Sequence, residues 1–307
     1  FSTNAGTLSY NAQNSSSSAN MVNDGINNAV LSFDGVNKRI YLYADKMYSY
    51  KLDGSNKTEF DLDNVEFFAV DGRNRLIYYH HEFEDKIYVY NMIGGDNGPV
   101  ANLSGVSGAK DMEVDMRNGY LYIARSNNPT IVRYDPSTYS IMEFNFDGAA
   151  QSISVDEYNN VIYWANYDGS NHRVMRTLLS GQTVDLNITY SGAIILTSDV
   201  LNLYVLDRAN DRIDIFSKET LVKQGNFTYS GSIHDMIIAY DDDECCIGNF
   251  CHDNATCTDS LGSFNCSCRD GFRNNGTDCI DVNECLNYPC DQNATCTNTI
   301  GSFECDC

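Results

Sequence analysis

The chain has 307 residues, with 42 acidic against 20 basic side chains and a net charge of −22. That length allows two or three domains and a sizeable core, and 4 prolines with 42% hydrophobic residues argue against global disorder. So negative a chain, with a pI near 4.3, repels nucleic acid and anionic membrane surfaces, and it contains no apolar run of the ~18 residues that span a bilayer, so this segment is expected to make no direct membrane insertion. It opens on Phe1, which reads as a mature chain with its leader removed or as a fragment.

Over the first 240 residues an apolar residue followed by tyrosine recurs in a similar frame: Ile40-Tyr41, Ile77-Tyr78, Leu121-Tyr122, Ile162-Tyr163 and Leu203-Tyr204. These tyrosines are 37, 44, 41 and 41 residues apart. Asp34, Asp71, Asp115 and Asp156 stand seven residues before the first four; the fifth frame has Thr197 there, with Asp199 nearby. Short alternating segments follow each motif, such as Met47 to Lys51 and Arg212 to Phe216. All are β-branched or aromatic, with a period of two, and are bounded by Asn, Asp and Gly, which predicts strands. No amphipathic helix is visible. Four short strands per ~41 residues is the signature of a β-propeller blade. The tyrosines are expected to pack between blades, and the frame Asp residues to bond to backbone turns.

Five frames give five blades, and the chain ends predict a sixth. Phe1 to Asn4 lies where the next frame is due, and Thr7 to Asn11 and Asn20 to Asn23 can follow as outer strands. Ile233 to Ala239 reads as an inner strand with no blade after it. Joining the ends makes a composite blade that closes the ring and removes exposed sheet edges. Ser15 to Ser18 is a low-complexity surface loop within that blade.

These frames resemble the YWTD propellers of the low-density-lipoprotein-receptor family. Tyr163-Trp164-Ala165-Asn166 carries the likeness, and Asp168-Gly-Ser, Asp53-Gly-Ser and Asp147-Gly echo the turns. The resemblance implies a six-bladed ring closed by the chain ends and followed directly by an EGF-like module.

All 12 cysteines lie between Cys245 and Cys307, and residues 241–307 hold 13 acids against Arg269 and Arg273. So sharp a change of composition marks a boundary after residue 240. A short segment this rich in cysteine needs disulfide staples, each worth ~2–4 kcal/mol, and an oxidising compartment in which to form them. Nine N-x-Ser/Thr sequons, at Asn14, Asn56, Asn102, Asn187, Asn226, Asn254, Asn265, Asn275 and Asn293, point to N-linked glycans in the same compartment. Zinc is not expected: the only close pairs are Cys266-x-Cys268 and Cys305-x-Cys307, and His252 stands alone.

Cys246, Cys251, Cys257, Cys266, Cys268 and Cys279 are separated by 4, 5, 8, 1 and 10 residues, and Cys285, Cys290, Cys296, Cys305 and Cys307 by 4, 5, 8 and 1. Asn-Ala-Thr-Cys-Thr and Gly-Ser-Phe occur in both groups. These resemble two EGF-like modules, 241–280 and 281–307, the second truncated before its sixth cysteine, so the protein is expected to continue. The resemblance implies the pairs Cys246–Cys257, Cys251–Cys266, Cys268–Cys279, Cys285–Cys296 and Cys290–Cys305. Asp281-Val282-Asn283-Glu284-Cys285, with Cys296-x-Asn298 and Phe303, looks like a calcium-binding EGF module. Calcium takes six to eight oxygen ligands. By resemblance, Asp281, Glu284 and Asn298 supply side chains and Val282, Thr299 and Ser302 supply carbonyls. Asp241, Glu244 and Asp259 repeat the pattern in the first module. One cysteine there is spare, Cys245 by one alignment and Cys246 by the other, and a spare thiol can pair between chains. Calcium at the short Ile280-Asp281 junction is implied to stiffen the linker.

Enzymatic signatures are absent: there is no G-x-S-x-G elbow, Walker loop or H-E-x-x-H. His80-His81-Glu82, the only His pair, is expected in a loop after a strand. The reading is therefore an all-β fold, a six-bladed β-propeller over 1–240 followed by two disulfide-rich modules. It is a non-enzymatic, extracellular, secreted or cell-surface glycoprotein, a structural subunit of a matrix, glycocalyx or surface filament. Its partners would be other protein chains, copies of itself among them. The alternatives are a receptor ectodomain that holds a ligand on one propeller face and, as a minor one, a metal-dependent propeller hydrolase.

Overall fold

Each frame tyrosine lies in the second strand of an antiparallel four-stranded sheet. The computed structural model describes residues 2–3, 6–8, 21–22, 29–52, 54–95, 97–100, 103, 106–127, 131–157, 159–199, 201–228, 233–239, 253–260, 263–274 and 279–306. The chain divides into two compact units, Phe1–Tyr240 and Asp241–Cys307.

The first unit opens with short strands β1 (Ser2–Thr3), β2 (Gly6–Leu8) and β3 (Met21–Val22). Five meanders follow. The first is β4 (Val30–Asp34), β5 (Arg39–Tyr43), β6 (Met47–Lys51) and β7 (Thr58–Phe60), and the second is β8 (Val65–Asp71), β9 (Leu76–His81), β10 (Lys86–Asn91) and β11 (Asn97–Pro99). The third is β12 (Ala109–Asp115), β13 (Tyr120–Arg125), β14 (Ile131–Asp135) and β15 (Ser140–Phe144). The fourth is β16 (Ala149–Asp156), β17 (Val161–Tyr167), β18 (His172–Leu178) and β19 (Thr183–Tyr190). The fifth is β20 (Ile194–Ser198), β21 (Asn202–Asp207), β22 (Arg212–Ser217) and β23 (Lys223–Thr228). This is a β-propeller, with the first strands of successive blades adjoining one another.

Five sheets are each formed from one continuous stretch, one for each of the five frames. The remaining strand, β24 (Ile233–Asp235), hydrogen-bonds to β1 in a sheet of order β24-β1-β2-β3. Of the expected segments, residues 1, 4, 9–11, 20 and 23 lie outside the described residues, and β24 ends at Asp235.

Between the sheets lie separate apolar clusters. Tyr41 packs where the first and second blades meet, Tyr78 between the second and third, and Tyr122 between the third and fourth. Tyr163 packs between the fourth and fifth, and Tyr204 against Ile233 and Met236 of the β24 segment. A strand buried on both faces exposes little of either, so Ile77, Leu121, Ile162 and Leu203 are fully buried. Each such side chain contributes ~1.5–3 kcal/mol by leaving water.

The hairpin after each first strand is set by an Asp-x-x-Asn pattern. Asp115 accepts the N–H of Arg117 and Asn118 through Oδ1 and the Asn118 amide through Oδ2. Asp34 with Asn37, Asp71 with Asn74 and Asp156 with Asn159 repeat it. In the fifth blade Asp199 takes this place and accepts Leu201 N and Asn202 N. Thr197 instead faces Tyr204 across the ladder, as Ser32 faces Tyr41 and Ser154 faces Tyr163. The fifth hairpin is two residues shorter than the others, which displaces the count from the tyrosine.

The second unit is three two-stranded ladders. They are β25 (Ala255–Ser260) with β26 (Ser263–Cys268), β27 (Phe272–Asn274) with β28 (Cys279–Asp281), and β29 (Thr295–Thr299) with β30 (Ser302–Asp306). A single 3₁₀ turn, Glu284–Asn287, precedes β29. With so little apolar surface to bury, covalent ties carry the fold. Cys268–Cys279, Cys285–Cys296 and Cys290–Cys305 are bonded, with Cα atoms 5.5 to 5.7 Å apart.

Candidate calcium centre

Asp281 ends β28, and its carboxylate reaches the β29–β30 hairpin. Oδ1 accepts the Gly301 N–H at 2.6 Å and Oδ2 accepts the Asn298 amide at 2.7 Å. Asn298 Oδ1 accepts the Glu284 N–H at 3.2 Å. Asn298 is thus joined to Asp281 and Glu284, 17 and 14 residues before it, by two hydrogen bonds, and the Cys285–Cys296 bond pins the Glu284 turn to β29. Thr299 and Ser302 are paired where the hairpin closes, and Gly301 holds its turn at φ +75°. Val282 is fixed by its own N–H, which Gly271 O accepts at 2.9 Å.

These residues fit calcium. All the donors are oxygens, as a hard cation requires. Glu284 Oε2 is buried without a hydrogen-bond partner, the condition of a ligand oxygen that lacks its cation. A half turn of the Asn298 amide exchanges its oxygen and nitrogen, so the same side chain can present oxygen beside Asp281.

Elsewhere the expected sites are dispersed. Asp241, Glu244, Cys245, Cys246, Cys251 and Cys307 lie outside the described residues, and Asp259 stands on β25. Cys257 and Cys266 are each disulfide-bonded. Among the sequons, Asn56, Asn187, Asn226 and Asn293 are exposed and Asn254 is half-buried. Asn14, Asn102 and Asn275 lie outside the described residues; Asn265 is on β26.

His80 and His81 belong to β9, not to a loop; only Glu82 follows the strand. β9 keeps its pairing with β10 through both histidines, His80 opposite Ile87 and His81 opposite Lys86. His80 is buried, stacks on Phe67 and lies between Glu66 and Asp85, at 2.8 and 3.1 Å. An open cleft beside β19 and β22 contains Asp207, Arg212 and Asp214. Its charges are mutually paired: Arg212 reaches both carboxylates, and Lys223 and the Tyr190 hydroxyl reach Asp214. Among the described residues no three His, Cys, Asp or Glu side chains gather as a metal would need. A calcium site of two carboxylates with an amide and carbonyls would not meet that description. No helix of the described residues is long and apolar enough to cross a membrane.

Sequence reading missed the acids of the channel. Asp111 Oδ2 accepts Ser152 Oγ and Ile153 N, Glu113 Oε2 accepts Val155 N, and Asp235 Oδ2 accepts Leu31 N. Burial raises all three carboxyls, to about 7, about 8 and about 6 respectively. Asp111 and Glu113 alternate along β12 with the buried Met112 and Val114.

Residues 263–284 match the family described as Complement Clr-like EGF-like, and residues 281–307 match Calcium-binding EGF domain. A stretch of 59 residues is 46% identical to uromodulin of Rattus norvegicus, covering 18% of this chain and 9% of that protein. The first unit is similar in fold to a chain from the crystal structure of a nidogen/laminin complex, with a TM-score of 0.67 at 18% identity over 78% of this chain and 97% of that one. TolB of Acinetobacter baumannii gives 0.59 at 13% identity over 70% and 58% of the two chains. Virginiamycin B lyase of Staphylococcus aureus gives 0.51 at 15% over 66% and 71%. At these identities the likeness is of fold alone. The chain therefore combines a β-propeller with EGF-like modules, the last of the calcium-binding type.

Proposed function

We propose that this chain is a non-enzymatic extracellular protein, a structural subunit of a matrix, glycocalyx or surface-filament assembly. Calcium would stiffen its EGF-like part, with Asp281, Glu284 and Asn298 as side-chain ligands and Val282, Thr299 and Ser302 as carbonyl ligands. Asp241, Glu244 and Asp259 would hold a second ion. The observation that carries the reading is the convergence of Asp281, Glu284 and Asn298 around an unpartnered buried oxygen. Bound calcium supplies a charge that locks hairpin, turn and β28 into one body.

The propeller is proposed to be a six-bladed ring, with β24-β1-β2-β3 as its closing blade. Asp235 bonding to Leu31 on one side, and Arg208 bonding to the Ile233 and His234 carbonyls on the other, support closure. A spare Cys245 or Cys246 is proposed to link chains, and the nine sequons to carry N-glycans. The fold shared with a chain of the nidogen/laminin complex supports a role in protein interaction. Molar mass by light scattering, in calcium, then EDTA, then reductant, tests the proposal. A mass well above one chain that falls with EDTA or reductant is expected; one chain in every buffer overturns self-assembly.

A further inference from the structure

Among the described residues, the outer strand of every propeller sheet has a strand on one side only, and such an edge invites pairing with another chain. Five of the six edges are guarded. β3 is two residues long, and β7 and β11 are three, β11 ending on Pro99. β19 is long but bulged: its ladder with β18 shifts register beside Asn187, which is exposed at φ +58°. β23 is bulged too and carries Lys223 and the exposed Asn226. Bulges, short strands, Pro and Lys are the ordinary devices that blunt an edge.

A second pattern follows the same strands. Asn187 and Asn226 are sequons on β19 and β23, and Asn56 is a sequon just before β7. In sequence, Asn102 comes just after β11 and Asn14 between β2 and β3. Every outer strand therefore has a sequon on it or close to it in sequence, except β15.

β15 has none of these protections. Its five residues pair with β14 in unbroken register from Ser140 to Phe144, with no Pro, no Lys and no bulge. Around it Tyr139 is 57% exposed and Ile141 and Met142 are each 42% exposed. Two neighbouring strand residues point to opposite faces, so both faces of this edge are apolar at its rim. Glu143 and Asp147 are exposed beside it, within a chain of net charge −22.

We infer that β15 is a strand-addition site that takes an extended, basic and β-branched segment of another protein as a fifth strand of the third blade. Main-chain hydrogen bonds give the pairing, and successive side chains of the guest, on its two faces, meet Ile141 and Met142. Charge selects the occupant. At this edge a basic strand complements Glu143 and Asp147, which the acidic strands of a second copy do not. This deepens the protein-interaction reading above, and its readout is separate, because strand addition needs neither calcium nor intermolecular disulfides.

The probe is the peptide Lys-Val-Lys-Val-Lys-Val-Lys, titrated calorimetrically into the whole glycosylated chain. Its controls are a form N-methylated at alternate residues and a form with Glu for Lys. Binding is expected for the basic peptide, at least ~10-fold weaker for either control. Ser140→Asn with Met142→Thr, which installs a sequon on the edge, is expected to abolish it; Ile141→Lys weakens it without a glycan. Both variants change exposed positions only, and unchanged thermal unfolding shows that they fold. Equal binding by the N-methylated peptide, no binding at all, or binding indifferent to both variants overturns the inference. So does a dimer that forms without peptide and is lost in the sequon variant, which would make a second copy the occupant.

Discussion

Asp111 reaches out of its own blade: its Oδ2 accepts the Ile153 backbone N–H at 2.9 Å, from β12 to β16. Two residues on, Glu113 does the same to Val155 at 2.8 Å, and Asp235 does so to Leu31 at 2.7 Å. Ser152 continues the series, accepting Leu196 N at 3.1 Å. Neighbouring blades are therefore joined near the axis by side chains that accept backbone N–H groups, not only by the apolar clusters farther out.

Three of these acceptors are acids raised by burial, and that gives the ring a pH dependence. The carboxyls rise to about 7, about 8 and about 6 for Asp111, Glu113 and Asp235. Between the ordinary carboxylate pKa near 4 and these values, the folded chain holds more protons than the unfolded one. Their contribution is complete below about pH 4 and is lost as pH rises towards 8. Their side chains are half-buried, so the loss per group, discounted for solvent screening, is on the order of 1–2 kcal/mol. Glu113→Gln keeps an oxygen for Val155 N but cannot ionise. Denaturant unfolding at pH 5 and pH 8 is expected to show a smaller decline for the variant, with a gain at pH 8. An unchanged pH slope would exclude Glu113 as its source.

The fifth hairpin separates two positions that the repeat frame left adjacent. Asp199 accepts Leu201 N, Asn202 N and the Tyr204 hydroxyl, the last two at 2.7 Å. Asp199→Ala strips three donors of their acceptor and is expected to cost about 1–3 kcal/mol. Thr197→Ala, on the ladder position, is expected to cost less than about 1 kcal/mol. Equilibrium unfolding of both decides which residue is the frame Asp.

The repeat itself was legible because tyrosine between apolar neighbours has a fixed place in a blade. Tyr41, Tyr78, Tyr122, Tyr163 and Tyr204 each stand on a second strand, facing the next interface. The Asp at a constant distance was legible four times and failed at Thr197, because hairpin length, not chain distance, sets the turn. His80 and His81 were misplaced because a histidine pair reads as polar, while stacking on Phe67 makes His80 a core residue. The channel acids were invisible as a group. Asp111 and Asp235 are far apart in sequence, yet the Asp235 charge acts on Asp111 in the folded chain. In the EGF-like part Asp281, Glu284 and Asn298 were named by resemblance to a calcium-binding module, and the structure joins Asn298 to Asp281 and to the Glu284 backbone by hydrogen bonds.

Lys218 binds the fourth blade to the fifth. Its ammonium is 2.5 Å from Asp156 Oδ2 and donates to the Asp199 carbonyl at 2.6 Å, with both side chains nearly fully buried. Removing one partner of a buried pair leaves the other charge uncompensated. Lys218→Met is expected to destabilise the propeller by about 3–5 kcal/mol. Adding Asp156→Asn removes the stranded charge and is expected to recover part of that loss. Thermal unfolding of the two variants tests the pair, and a double variant no better than the single one would place the cost in packing instead.

Gly271 controls the calcium centre from outside its ligand set. It sits at φ +83°, and a Cβ there would stand 2.1 Å from the Gly301 carbonyl oxygen. Its own carbonyl accepts Val282 N, while Gly301 N is held by Asp281 Oδ1. An added methyl group therefore pushes the β29–β30 hairpin away from the strand that carries Asp281, and it also strains the backbone, since only glycine adopts this φ without cost. Gly271→Ala is expected to weaken calcium binding to the whole chain by about 10–100-fold, the effect of losing support behind a ligand. The propeller's thermal transition should not move, because the two are separate compact units. Calorimetric titration with calcium reads the first and differential scanning the second. Unaltered calcium affinity would mean that the hairpin yields freely, and that the bond between Asp281 and Gly301 does not position the site.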